Sequence, residues 1–219
     1  MAETQMTQRE RMLSGRLYLA SDEELAAAQA RARELVRRYN DTAHGDLAGR
    51  RALLEELLGS LGENVWIEPP FRCDYGRHIS VGRNFFANYE CIILDVCPVT
   101  IGDNVQLGPR VGIYTAGHPL DPAQRRTRAE FGAPITIGDD VWIGGHAVLC
   151  PGVTIGAGSV IGAGSVVTRD IPPGVVAAGS PCRVLRPIGA ADRERWRSQL
   201  AELGLAEDAA PEETVKQDR

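Results

Sequence analysis

His118, in the run YTAGHPLDP, is the residue of this 219-residue chain whose type and setting best suit proton transfer. Its imidazole titrates near neutral pH, and it sits between Gly117 and Pro119 where an otherwise regular pattern breaks. General-base work is the chemistry such a residue offers. The other histidines have plainer settings: His44 in a turn between helices, His78 near a coil corner, His146 inside a repeat. Each reads as a surface or packing imidazole. Cys73, Cys91, Cys97, Cys150 and Cys182 form an odd set without CxxC pairing, which argues against a disulfide framework or a zinc ribbon. Most read as buried reduced thiols.

The pattern that breaks at His118 has a period of six. Ile137, Ile143, Leu149, Ile155, Ile161 and Val167 share one phase, each followed by Gly138, Gly144, Cys150, Gly156, Gly162 or Thr168. Two residues before them stand Ile135, Val141, Ala147, Val153, Ser159 and Ser165. A helix needs a period near 3.6, whereas six suits short extended runs broken by regular turns, the signature of a parallel β-helix. The branched aliphatic of each repeat points to the axis, and the glycine after it permits a corner that a side chain would crowd. No coil buries its own core, so stacking supplies the burial. An aromatic fraction of 5% fits so thin an interior.

The repeat starts earlier, with Ile79, Phe85 and Cys91 in one phase and Val81, Ala87 and Ile93 in another. After a two-residue slip, Ile101, Leu107 and Ile113 take over, which predicts a bulge at Leu94 to Pro98. From His118 to Pro134 the polar stretch HPLDPAQRRTRAEFGAP reads as a loop thrown outward, since the phase resumes intact at Ile137. Upstream, Gln8 to Ser60 reads as helical, with a capping box at Ser21 to Glu24 and an apolar stripe of Leu25, Ala28, Ala32, Leu35 and Tyr39. A second stripe runs through Leu47, Leu54, Leu57, Leu58 and Leu61. These helices are expected either to pack together or to cover the open end of the solenoid. After Pro172 the solenoid ends; Ala191 to Leu203 predicts a short helix with Trp196, Leu200 and Leu203 on one face, and the acidic tail from Glu207 reads as disordered. The expected divisions are a helical segment 1–61, a β-helix 62–188 and a helix with tail 189–219.

A net charge of −5 gives no sign of a nucleic-acid surface, no apolar run reaches the length of a membrane span, and the start lacks the apolar stretch of a secretory signal. A cytoplasmic protein is expected.

The runs RMLSGRLYLASDEEL, RCDYGRHISVGRNFFANYECIILDVCPVTIGDN, YTAGHPLDP, VWIGGHAVLCPGVTIG and VVAAGSPCRV resemble, in that order, the sugar O-acetyltransferases of the hexapeptide-repeat superfamily, the maltose and galactoside acetyltransferase family. The likeness spans about residues 6 to 188. It implies a left-handed β-helix, a homotrimer with active sites between subunits, and direct acetyl transfer from acetyl-CoA to a sugar hydroxyl without an acyl-enzyme, with no metal required. It also implies that His118 is the base and that a backbone N–H of the Gly144-Gly145 turn meets the oxyanion. Asn88, Asp74 and Asp95 are implied as acceptor-binding residues, carboxylates being suited to accept from sugar hydroxyls. Asp95 is followed by Val96 where the galactoside type has a second acid, which favours a maltose-like acceptor. For CoA the resemblance implies Trp142, Gly145, Ala163, Thr168, Arg169, Arg183 and Arg186, the small residues lining the pantetheine groove and the arginines meeting phosphates.

Three other readings stand beside it. A metal-dependent lyase such as the γ-carbonic anhydrases shares this solenoid but needs a close third histidine beside His118 and His146, and none is present. A non-catalytic scaffold keeps the fold without the chemistry, against which His118, Asn88 and the terminal arginines argue. Acetyl transfer to a xenobiotic or a nodulation-type oligosaccharide would change only the acceptor, with Asp121 to Phe131 as the discriminating segment.

Overall fold

A computed structural model describes residues 6–205, which fall into two compact units dividing after Pro187. The expected acidic tail lies outside the described residues. Helix α1 (Gln8–Leu13) opens with a capping box in which the Thr7 hydroxyl and the Glu10 carboxylate each accept the other's backbone amide. Helix α2 (Glu23–Asn40) is capped by Asp22 rather than Ser21: the Asp22 carboxylate accepts the amides of Glu24 and Leu25. An acid one residue later reaches the same orphan donors and adds charge that the helix N-terminus favours, a cap of about 1 kcal/mol.

The buried stripe of α2 is Leu25, Ala32, Leu35, Val36 and Tyr39, while Ala28 is exposed. Helix α3 (Leu47–Leu57) buries Leu54 and Leu57 with Leu58 following, but Leu47, at its first position, is 57% exposed. Both helices pack on the first coil of the solenoid. The Tyr39 hydroxyl donates to the Ile67 carbonyl at 2.5 Å, and the Asn40 side chain satisfies both the carbonyl and the amide of Phe71 at 3.0 and 2.9 Å. The helices therefore share one core with the β-helix and cover its open end.

Three parallel sheets make the solenoid. Face one stacks Ser60–Leu61, Ile79–Val81, Val99–Ile101, Ile135–Ile137 and Thr154–Ile155. Face two stacks Trp66–Ile67, Phe86–Ala87, Gln106–Leu107, Trp142–Ile143, Val160–Ile161 and Val175–Ala178, closed by the antiparallel strand Arg183–Pro187. Face three stacks Arg72–Cys73, Ile92–Leu94, Gly112–Tyr114, Val148–Leu149 and Val166–Val167. Columns such as Leu107, Ile143 and Ile161 lie in register and are buried. Ser159 and Ser165 interrupt the apolar series yet are satisfied, their hydroxyls donating to the carbonyls of Pro172 and Gly162.

Where glycine follows a column residue, the coil above requires it. A Cβ on Gly138 would stand 2.7 Å from the Ala157 amide nitrogen, and one on Gly144 2.5 Å from that of Ala163. Left-handed backbone falls two residues further on, at Asn64, Asn84, Asn104 and Asp140. Their side chains form a ladder, each asparagine donating to the next residue at 2.8 to 3.1 Å.

The corner between faces three and one departs from the six-residue rule on three successive coils. It holds five residues at 74–78 and at 94–98, then the excursion, against three at 150–152. The slip at 94–98 is present, and the earlier one at 74–78 is an addition to the sequence reading. The excursion is more ordered than a loop: Ala116–Gly117 pairs antiparallel with Ala129–Gly132, which pairs with Tyr18–Leu19, and a short helix α4 (Pro122–Arg125) caps on Asp121. In the second unit, two short helices, Ala190–Glu194 and Arg197–Glu202, replace the single helix expected over Ala191 to Leu203; the backbone at Trp196 (φ −114°, ψ 0°) leaves the helical range.

Candidate active site

The corner between faces three and one carries His118. It follows directly on Gly117, whose partner across the excursion hairpin is Phe131. A Cβ on Gly117 would come within 2.5 Å of the Phe131 ring, so only glycine lets that ring lie beside the strand that delivers the imidazole. His118 is exposed, and among the described residues nothing hydrogen-bonds its ring.

Beneath it the extended corners are stitched together. Thr115 Oγ1 donates to the Leu94 carbonyl at 2.7 Å and accepts the Cys97 amide at 3.0 Å. Asp95, expected from sequence to face an acceptor, is instead fully buried. Its Oδ1 accepts the amides of Asp74 and Tyr75 at 3.0 and 2.9 Å, and its Oδ2 that of His78 at 3.3 Å. The carboxylate is occupied by the turn that carries Asp74, which removes it from direct ligand contact. Burial pushes its carboxyl up to about 7, against those three amides, which favour the ionised form.

Asp74 is half-buried on a groove of about 660 Å³ that Arg33, Arg72, Ile92 and Leu94 also line. Burial raises its carboxyl, the nearby Glu130 adds to the rise, and Arg33 opposes it. Glu130 accepts from the Tyr18 hydroxyl at 2.9 Å, and burial together with that bond raises the Tyr18 phenol. Tyr18 and Glu130 were not singled out by sequence. The signal for Glu130 was its place as one of only two acids in a stretch rich in arginine. His78 is a packing residue, its Nδ1 2.6 Å from the Asp95 carbonyl and its ring 5.2 Å from that of Tyr75.

The next corner, between faces two and three, carries Asn88, then, beyond the intervening coil of Gln106–Leu107, Gly145 and Ala163 on successive coils. Asn88 is half-buried, and its Oδ1 accepts the Tyr89 amide at 2.8 Å, which leaves its NH₂ to donate elsewhere. The Gly145 carbonyl accepts from Gly164 at 2.9 Å, while among the described residues its own N–H has no acceptor. Ala163 is exposed directly beside this turn. Trp142 lies outward on face two at 55% exposure. Thr168 and Arg169 are exposed at the three–one corner of the last full coil, and Arg183 and Arg186 project from the terminal hairpin. Small exposed amide-bearing residues beside a cationic hairpin fit a pantetheine arm and its phosphates.

The expected site residues thus divide. Asp74, Asp95, His118, Thr168 and Arg169 belong to one corner, Asn88, Gly145 and Ala163 to another, with a face of the prism between them. The outward residues of face one are Ser60, Ser80, Thr100, Thr136 and Thr154, whereas faces two and three turn out Phe86, Trp142, Val160, Ile92, Val148 and Val166 together with the polar Gln106 and Arg72.

A capped parallel β-helix of six-residue repeats with a solvent-facing histidine on an excursion defines a class of acyl-transfer enzymes. Residues 11–62 match the family model for the maltose acetyltransferase hexapeptide capping motif, and residues 134–169 that for the bacterial transferase hexapeptide, six repeats. The chain is 46% identical to the galactoside O-acetyltransferase of Escherichia coli K12 over 87% of its own length and 94% of the relative's. The structure of a maltose O-acetyltransferase from Clostridium difficile 630 superposes with a TM-score of 0.83 at 52% identity, covering 84% of this chain and 98% of that one. A galactoside acetyltransferase in complex with coenzyme A gives 0.84 at 46% identity, covering 86% and 94%. The chain belongs to the maltose and galactoside O-acetyltransferase family of hexapeptide-repeat acyltransferases.

Proposed function

We propose that this chain transfers acetyl from acetyl-CoA to a hydroxyl of a sugar such as maltose or glucose, at sites formed between the subunits of a homotrimer. The observation that carries the reading is the solvent-facing His118 at the excursion root, on the same corner as Asp74, Thr168 and Arg169, with Asn88, Gly145 and Ala163 on a different corner of the same chain. In this reading a contact between subunits brings the two corners together, which the largely apolar outer surfaces of faces two and three favour. Known complexes of the family support the donor: one relative's structure holds coenzyme A and another, from Vibrio cholerae, acetyl coenzyme A.

In this reading Asp74 accepts from hydroxyls of the sugar and Asn88 donates to the acceptor or the thioester. His118 takes the proton of the attacking hydroxyl as its oxygen bonds to the thioester carbon. The N–H of Gly145 on the neighbouring subunit donates to the tetrahedral oxyanion. As the C–S bond breaks, the thiolate receives the proton from the His118 imidazolium, giving free CoA and the acetyl ester. Arg183 and Arg186, with Arg169, pair with the phosphates, and Thr168 and Ala163 border the pantetheine arm. Trp142 packs against that arm or the next subunit. Asp95 acts as a positioning residue through the turn at 74–78. No described helix is long and apolar enough to cross a membrane, and a cytoplasmic location belongs to the same proposal.

The test is release of free thiol from acetyl-CoA in the presence of maltose or glucose. Sugar-dependent release that disappears in His118→Ala supports the reading; thiol release without an acceptor requirement, or unaltered by the substitution, overturns it.

A further inference from the structure

A second cavity, of about 340 Å³, lies between α1, α2 and the turn at 75–78, and shares no lining residue with the groove beside Asp74. Its volume is within the range of small-molecule sites. Arg9, Arg31 and Arg77 line it against one carboxylate, Glu24. That is a local excess of positive charge in a chain whose net charge is −5. The cations are only partly engaged: Arg9 Nη1 is 3.8 Å from Glu24, Arg31 Nη2 donates to the Glu56 carbonyl at 3.0 Å and pairs with the Glu56 carboxylate at 3.5 Å, and Arg77 Nη1 donates to the Leu58 carbonyl at 3.1 Å. A guanidinium has five N–H donors, so these bonds anchor the side chains and leave donors for a ligand.

The rest of the wall is apolar. Met12, Leu25 and Tyr75 contribute it, and Ala28 completes it. Ala28 stands on the apolar stripe of α2 between Leu25 and Ala32, which are 1% and 0% exposed, yet it is itself exposed because it faces this opening. His78 also borders the cavity. Its Nδ1 is 2.6 Å from the Asp95 carbonyl, which can only accept, so Nδ1 carries the proton and Nε2 is the remaining polar atom of the ring.

We propose that this cavity binds a small anionic molecule, one phosphate or carboxylate on an apolar body about the size of a single ring. The anion meets the three guanidiniums, and the body covers Met12, Leu25 and Ala28. The site is independent of acetyl transfer chemistry, although Tyr75 and His78 belong to the same turn as Asp74.

Isothermal titration of the full-length chain with phenyl phosphate, benzoate, inorganic phosphate and phenol tests it. At least one aryl anion is expected to bind with one site per chain, inorganic phosphate and phenol about tenfold or more weaker. Which aryl anion binds tighter tells phosphate from carboxylate. Arg31→Gln is expected to weaken the binding about tenfold, and Ala28→Trp, which fills the cavity from an exposed position, to abolish it with an unchanged melting temperature. Arg183→Gln, on the hairpin proposed for CoA phosphates, is expected to leave it intact. The proposal is overturned if neither aryl anion binds, if inorganic phosphate binds as well, or if binding survives Ala28→Trp or is lost in Arg183→Gln.

Discussion

Asp95 Oδ1 accepts the backbone amide of Asp74 at 3.0 Å, so a fully buried carboxylate on one coil fixes the turn that presents an acid to the groove on the coil before it. In Asp95→Asn the side chain can no longer accept all three amides, and its NH₂ opposes a backbone N–H. A loss of about 1–3 kcal/mol in unfolding free energy is expected. A raised KM for the sugar at little change in KM for acetyl-CoA should accompany it, separating a positioning role from a purely structural one.

The same residue gives a pH dependence. Its carboxyl rises from an ordinary 3.8 to about 7 on folding, so the folded chain binds more protons than the unfolded chain between those values. Stability contributed by this group is therefore full below about pH 4, falls as pH rises towards about 7, and is flat above it. Urea unfolding of wild type and Asp95→Asn across that window checks it: the difference between their unfolding free energies should shrink as pH rises. A constant difference would contradict a raised carboxyl.

Gly117→Ala sets a methyl 2.5 Å from the Phe131 ring, and the ring and the strand that leads to His118 must part to admit it. Misplacement of a reacting group by about 1 Å can cost about 10²-fold in rate. Steady-state kinetics should show that loss mainly in kcat, with KM for acetyl-CoA unchanged.

Arg183→Gln and Arg186→Gln each remove a charge-assisted contact proposed for the coenzyme phosphates. KM for acetyl-CoA is expected to rise about 10- to 100-fold with little effect on the sugar KM. Kinetics with each substrate varied in turn would reveal the asymmetry.

Ile143→Ala empties a core position between Leu107 and Ile161 and should cost about 2–5 kcal/mol, read as a shift in the urea midpoint.

Much of the solenoid was legible because each coil repeats the same constraint. The columns through Ile143 and Ile155 and the glycines beneath the next coil follow from period and residue size alone. The slip at 74–78 was missed because the first coil writes it in Phe71, Cys73 and Tyr75 rather than in aliphatic and glycine. The order within the excursion was missed because its strands pair with Tyr18–Leu19, roughly a hundred residues away, a contact no local pattern encodes. His118 was legible as an anomaly in a regular series. Asp95 was misread since an acid at a strand end looks the same in sequence whether it faces solvent or three buried amides. Ser21 and Asp22 serve equally well as caps by type, and only the folded turn puts Asp22 on the helix amides. That the expected site residues divide between two corners was invisible without the register of the strands.

The division of the site between chains is tested most directly by mixing two inactive variants, His118→Ala and Asn88→Ala, in co-assembled trimers purified by separate tags. Each site in such a trimer draws its His118 corner from one chain and its Asn88 corner from the next, so every mixed trimer, 2:1 or 1:2, holds one site in three with both halves intact and should recover about a third of the wild-type activity. Mixed trimers as inactive as either parent would place both residues in the same site from the same chain and contradict an active centre shared across the subunit boundary.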